Sequence, residues 1–289
     1  MAGLLREAAR HNTDMHATQH PLVAFIGGGN MASAIIGGLL RQGHPAASIL
    51  VVEPWDEQRM RLNAQFPHVS LLPVASGTLQ AADLVVWAVK PQAFKDAALA
   101  TAPFVSQALH LSVAAGITSN SMASWLGSER LVRAMPNTPA LVGLGMSGLF
   151  ARAAVSAKDR ALVEKVVATT GDLLWIDAED QLDAVTALSG SGPAYVFYFL
   201  EAMREAGAAM GLPPEVAQRL AMSTFIGATT MAQRSEEPLH TLRERVTSKG
   251  GTTFAALSAM EASGMKAHFI QAMQAAQNRA AELGHEFGT

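Results

Sequence analysis

Cysteine is absent from this 289-residue chain, which excludes a disulfide framework and thiolate catalysis and fits a reducing compartment; a cytoplasmic location is expected. Long apolar runs are absent too. A membrane span needs roughly 18 or more apolar residues in a row, and the longest candidate, Leu84 to Val89, is only strand-sized. No cluster of lysine and arginine occurs, and with a formal net charge of -3 and a pI of 6.3 the chain has no electrostatic footprint for nucleic acid. Residues 1–20 lack the apolar core of a secretory signal and, dotted with His11, His16 and His20, read as a loose N-terminal extension. The other histidines, His44, His68, His110, His240, His268 and His285, show no metal-ligand spacing, so neither a metal site nor a catalytic histidine is expected.

What is present is an apolar, compact composition, 49% hydrophobic and 16% charged, on a chain long enough for two domains. Strand-like runs stand at Val23–Ile26, Ile49–Val52, Val69–Leu72, Leu84–Val89, Leu109–Val113, Leu131–Met135, Met146–Phe150 and Leu173–Ile176. Several are continuously apolar, as strands covered on both faces should be. Between them the pattern predicts helices over Ala32–Gln42, Glu57–Gln65, Ala93–Ala102, Ser119–Leu126 and Ser156–Thr170, the last opened by Ser156 and Asp159 in a capping arrangement. Such alternation predicts right-handed βαβ crossovers and a doubly wound, mostly parallel, Rossmann-like sheet over residues 21–177.

Past Asp177 no clear strand remains. Helical periodicity runs to the end, broken at Gly190–Pro193, Gly211–Pro214, Glu236–Pro238, Lys249–Gly251 and Ser263–Gly264, so residues 178–289 read as an all-helical domain. Its helices are rich in small residues, among them Gly207, Ala208, Ala217 and Ala221, and carry few charges; they need a partner surface, and a dimer is expected.

The first strand runs directly into Gly27-Gly28-Gly29-Asn30-Met31-Ala32, and a helix follows. Strand, glycine loop and helix in that order make a dinucleotide site: Gly27 allows the tight turn, Gly29 lets backbone approach a pyrophosphate, and Ala32 lets helix lie close on strand. The helix start adds free N–H groups and the positive end of a dipole. Glu53, 24 residues after Gly29, stands near the spacing at which a carboxylate grips the adenosine ribose and repels the extra phosphate of NADP, whereas Arg59 and Arg61 just downstream could accept that phosphate. NADPH and NADH both remain open. Ala88-Val89-Lys90-Pro91 leaves the fourth strand at the carboxyl edge of the sheet, where ligands of open α/β sheets lie, and Ala115 and Asn137 end the next two strands beside the same crevice.

Four motifs together, Val89-Lys90-Pro91, Asn137-Thr138-Pro139, Asp183 to Tyr195 with its Ser189-Gly190-Ser191-Gly192-Pro193 core, and Val246 to Thr253, are similar to those of the pyrroline-5-carboxylate reductases. The likeness extends over about Val23 to Leu283. It implies reduction of the cyclic imine 1-pyrroline-5-carboxylate to L-proline by hydride from a nicotinamide. By the same resemblance, Ser189, Ser248, Gly250, Gly251, Thr252 and Thr253 are substrate-binding, and Thr253 places its hydroxyl at the ring nitrogen as the catalytic residue. It further implies an interwoven dimer with shared sites, or a decamer built as a ring of dimers. Lys249 stands where many relatives have proline, either as a surface substitution or as a cation assisting the substrate carboxylate.

Two other classes compete. β-Hydroxyacid dehydrogenases have a comparable layout but resemble one another in a proton-shuttling lysine after the interdomain turn, and this chain has no lysine between Gly190 and Thr247. A non-catalytic dinucleotide-binding protein would have no use for an anion-binding turn at Ser248–Thr253.

Overall fold

A computed structural model describes residues 20–287; the extension expected over residues 1–20 lies outside the described residues but for His20. Eight strands form one sheet in the order β3-β2-β1-β4-β5-β6-β7-β8. They are β1 (Val23–Ile26), β2 (Ile49–Val52), β3 (Ser70–Leu72), β4 (Leu84–Trp87), β5 (Leu109–Ser112), β6 (Leu131–Met135), β7 (Gly145–Ala151) and β8 (Gly171–Trp175). Five helices lie between them: α1 (Asn30–Arg41), α2 (Asp56–Gln65), α3 (Pro91–Thr101), α4 (Ser119–Leu126) and α5 (Ala157–Val167).

Pairing is parallel from β3 across to β6, with Phe25 opposite Val51 on one side and Val86 on the other. β7 runs antiparallel to β6, because the link is only a 3-10 turn at Thr138–Val142 closed by Gly143 at φ 74°, too short for a crossover. α5 then supplies one, and β8 returns parallel to β7.

Alternation along each strand feeds two cores. Val23, Phe25, Val51 and Val86 pack with Ile36 and Leu62 on one face, and Ala24, Val85 and Trp87 pack with Phe94, Ile117 and Met122 on the other. A fully buried side chain of this size contributes roughly 1.5–3 kcal/mol, so these two layers dominate the stability of the sheet half.

The strands stand where the apolar pattern predicts, but ends move. The run Leu84–Val89 stops as strand at Trp87, which leaves Ala88, Val89 and Lys90 as the exit loop, and the first helix starts at Asn30 rather than Ala32. The helix expected over Ser156–Thr170 is α5 plus a 3-10 turn at Ala168–Thr170, cut off by Gly171 at φ 143°. At its start the capping arrangement is reciprocal: the Asp159 N–H donates to Ser156 Oγ (3.2 Å) and the Ser156 N–H to Asp159 Oδ2 (3.0 Å).

From Gln181 onward the described residues are helical. α6 (Gln181–Val185) runs through a π turn at Thr186–Gly190, and α7 (Gly192–Ala209), α8 (Pro214–Gln233), α9 (Leu239–Arg245), α10 (Thr252–Ala262) and α11 (Met265–Phe287) follow. Each break falls at a Gly, Pro or Ser cluster. A Cβ on Gly207 would come within 2.6 Å of the Ala217 Cβ, so α7 and α8 meet through their small residues. Large apolar side chains are left bare on the same helices, Phe197, Tyr198, Ile226 and Met231 each more than 60% exposed. No described helix is long and apolar enough to cross a membrane.

Candidate dinucleotide and substrate site

The three loop glycines have three different surroundings. Gly27 adopts φ 92°, and a Cβ there would meet Ala88 O at 2.7 Å, so the turn is built against the end of β4. At Gly28 a Cβ would strike Leu62 Cδ1, so α2 presses on the loop from behind. At Gly29 a Cβ would meet nothing within 4 Å. Gly29 is also the N-cap of α1, and no side chain caps that helix, so its first N–H groups face the open side of the loop. A cradle with free backbone donors and room for close approach fits a dinucleotide pyrophosphate.

Glu53 is buried, and both its carboxylate oxygens already hold backbone N–H groups: Oε2 that of Gly28 (2.9 Å) and Oε1 that of Trp55 (3.0 Å). The carboxylate therefore ties the end of β2 to the glycine loop, in addition to whatever it offers a ribose. Arg59 donates to the Glu53 carbonyl (2.6 Å) and pairs with Asp56, while Arg61 pairs with Glu57 (2.6 Å). The two arginines that could take a 2′-phosphate thus each have an acidic neighbour on α2.

Farther along the carboxyl edge stand the exit loop Ala88–Lys90 with Pro91 at the start of α3, Ala115 beyond β5, and Asn137 beyond β6. Asn137 bridges the two halves of the chain. Its Oδ1 accepts the Met146 N–H of β7 (2.9 Å), and its Nδ2 donates to the Ser189 carbonyl in the π turn (3.1 Å). Ser189 Oγ and Tyr195 OH donate back to the Val185 and Ala187 carbonyls, which holds that turn in shape. Asn137, Ser189, Pro193 and Tyr195 line a cavity of about 480 Å³ with Phe225 and Phe269.

The turn Ser248–Thr253 lies apart from this wall within one chain. The Gly251 N–H donates to the Ser248 carbonyl (3.0 Å), Gly250 takes φ 74°, and Gly251 caps α10 without any side-chain partner. Thr252 and Thr253 open that helix and are exposed, and none of the turn's residues lines the cavity beside Asn137. The structure thus brings together the glycine loop, the strand ends and Ser189, and leaves the predicted substrate turn facing outward.

A second polar cluster, which the motif reading missed, fixes the helical half against the sheet. Glu179 accepts the N–H and hydroxyl of Ser119 (both 2.5 Å) at the start of α4 and pairs with the buried Arg133 of β6 (2.7 Å). Burial alone would push the Glu179 carboxyl up, but the hydrogen bonds from Ser119 and Arg133 outweigh it and hold it below the ordinary carboxylate range. Asp183, beside it, is pushed up by burial and by Asp180 and Glu179 despite the opposing pull of Arg133. The signal was in the sequence: an arginine inside Leu131-Val132-Arg133-Ala134-Met135 is a charge in a buried strand and demands an acidic partner.

Residues 179–283 match the family described as pyrroline-5-carboxylate reductase dimerisation, and residues 22–116 match that described as NADP oxidoreductase, coenzyme F420-dependent. The chain is 46% identical over 270 residues to the pyrroline-5-carboxylate reductase of Pseudomonas aeruginosa, covering 93% of this chain and 98% of the relative. It is 37% identical over 264 residues to that of Pisum sativum, covering 90% and 95%. Among solved structures, a pyrroline-5-carboxylate reductase from Coxiella burnetii superposes with a TM-score of 0.85 at 38% identity, covering 91% of this chain and 98% of that one. A pyrroline carboxylate reductase from Plasmodium falciparum with NADP bound gives 0.81 at 27% identity over 91% and 98%.

Proposed function

Since the chain belongs to the pyrroline-5-carboxylate reductase family, we propose how its residues divide the work of that reaction. The protein is an NAD(P)H-dependent oxidoreductase that reduces 1-pyrroline-5-carboxylate to L-proline. The observation that carries the reading of its site is the Asn137 bridge. One side chain joins the carboxyl edge of the sheet, the edge at which the cradle Gly27–Ala32 also stands, to the π turn that carries Ser189 and to the cavity beside it.

Gly29 and the N–H groups of Asn30, Met31 and Ala32 hold the pyrophosphate, Glu53 closes the adenosine side, and Ala88 to Pro91, Ala115 and Asn137 flank the nicotinamide end. The reduced nicotinamide, when bound, supplies the hydride. The turn Ser248, Gly250, Gly251 and Thr252 holds the substrate carboxylate on backbone N–H groups at the start of α10, and Thr253 sets its hydroxyl at the ring nitrogen. A C=N carbon accepts hydride most readily when its nitrogen carries a proton, so orientation and exclusion of water matter more than a strong base.

Because that turn faces outward in one chain, it completes the site of a second protomer. The assembly is a dimer with shared sites, extending to a decameric ring of dimers, and the bare side chains of α7 and α8 form its interface. The dinucleotide-binding domain comprises residues 21–177 and the helical domain residues 178–289. The enzyme works in the cytoplasm. Steady-state reduction of pyrroline-5-carboxylate with NADPH and NADH side by side tests the assignment: L-proline must accumulate with at least one nucleotide, and no consumption of either nucleotide would refute it.

A further inference from the structure

The middle glycine of the loop is gripped at both ends of its own backbone. Its N–H donates to Glu53 Oε2 (2.9 Å) and its carbonyl accepts from Gln58 Nε2 (2.6 Å), while Leu62 of the same helix face lies against its Cα. Gln58 and Leu62 are one turn apart on α2, so this helix presents a donor and an apolar pad to a single residue of a different βα unit.

The geometry of the peptide bond gives the contact its meaning. In a planar trans peptide the Gly28 carbonyl and the Gly29 N–H lie in one plane and point in opposite directions. Holding the carbonyl toward α2 therefore aims the Gly29 N–H away from α2, and Gly29 itself stands in open space, with nothing within 4 Å of a Cβ placed on it. Glycine does not resist rotation about φ and ψ, so a loop of three of them needs outside restraint to keep a donor aimed.

We propose that Gln58 is a positioning residue for dinucleotide binding: it fixes the Gly28–Gly29 peptide so that the Gly29 N–H faces the pyrophosphate. The inference rests on the reading of this loop as the pyrophosphate cradle. Gln58 acts on the part common to all dinucleotides, so its effect is blind to the 2′-phosphate. Glu53 holds the other side of the same residue, which makes α2 and the end of β2 two jaws of one clamp.

The test is calorimetric titration of the wild type, Gln58→Met and Gln58→Glu with NADH, NADPH and ADP-ribose. Gln58→Met keeps length and helix preference but removes the donor, and it is expected to raise all three Kd values alike, by about three- to ten-fold, the size of one lost hydrogen bond. Gln58→Glu sets a carboxylate against the carbonyl and is expected to cost more. The KM for pyrroline-5-carboxylate at saturating nucleotide should stay unchanged, and the melting temperature should fall by no more than the few degrees that one lost hydrogen bond costs. Unaltered Kd values in both variants would overturn the proposal, as would a loss confined to NADH or NADPH, or a drop in melting temperature well beyond that of one hydrogen bond. Failure of the wild type to bind ADP-ribose would instead overturn the cradle reading itself.

Discussion

Thr253 and His110 show how differently a single side chain can matter in this fold. Thr253 is exposed near the start of α10, and the role proposed for it is toward substrate; replacing it by Ala should lower turnover tenfold or more, roughly 1.4 kcal/mol of transition-state stabilisation, with little change in melting temperature. Unchanged turnover would remove it from the mechanism. His110 is fully buried in β5, its Nδ1 accepting the Trp87 indole N–H (3.2 Å) and its Nε2 without a partner. Burial, reinforced by Arg130, pulls its pKa down to about 4. The unfolded chain therefore binds a proton that the folded one refuses between pH 6.5 and 4. The stability this neutral histidine permits is complete above pH 6.5 and is lost as pH falls toward 4, by about 3 kcal/mol. His110→Gln keeps an acceptor for Trp87 but cannot titrate, and urea unfolding across that range should show a shallower acid loss; identical slopes would contradict the assignment. The places of Gly29 and Lys90, each heading a helix just after a strand, were legible from the apolar pattern. Glu179 and Gln58 were not singled out, and Asn137 was singled out without its bridge to Ser189, because each contact reaches a partner 30 or more residues away that local pattern does not reveal.

At the scale of elements, apolar runs bounded by Gly, Pro and Ser located strands and helix breaks because the burial that drives them is periodic. What periodicity could not show was direction: β7 reads as one more parallel strand until the shortness of its link to β6 is considered, and the π turn at Thr186–Gly190 looks like helix in any apolar pattern. Small residues in α7 and α8 did announce a close contact. Gly207→Val should force the two helices apart, since the added carbons would occupy the Ala217 position, and a loss of about 1–3 kcal/mol is expected from chemical denaturation. An unaltered unfolding midpoint would mean that the pair is not close.

For the whole molecule, the open question raised by sequence was which surface the second half covers. One chain leaves Phe197, Tyr198, Ile226 and Met231 bare and Ser248–Thr253 largely exposed, in keeping with the self-association that its match to the dimerisation family supports. Multi-angle light scattering at micromolar concentration should therefore find a dimer or a multiple of dimers, whereas a stable monomer would contradict the shared site. Hydride transfer in this crevice, from the nicotinamide ring to the C=N carbon of the imine, is the expected chemistry. Its most direct measurement uses nucleotide carrying deuterium on the transferring face of the ring, with mass spectrometry of the product. The expected result is L-proline with one deuterium on the ring carbon next to nitrogen and remote from the carboxyl group; unlabelled proline, or none with either labelled face, would contradict it.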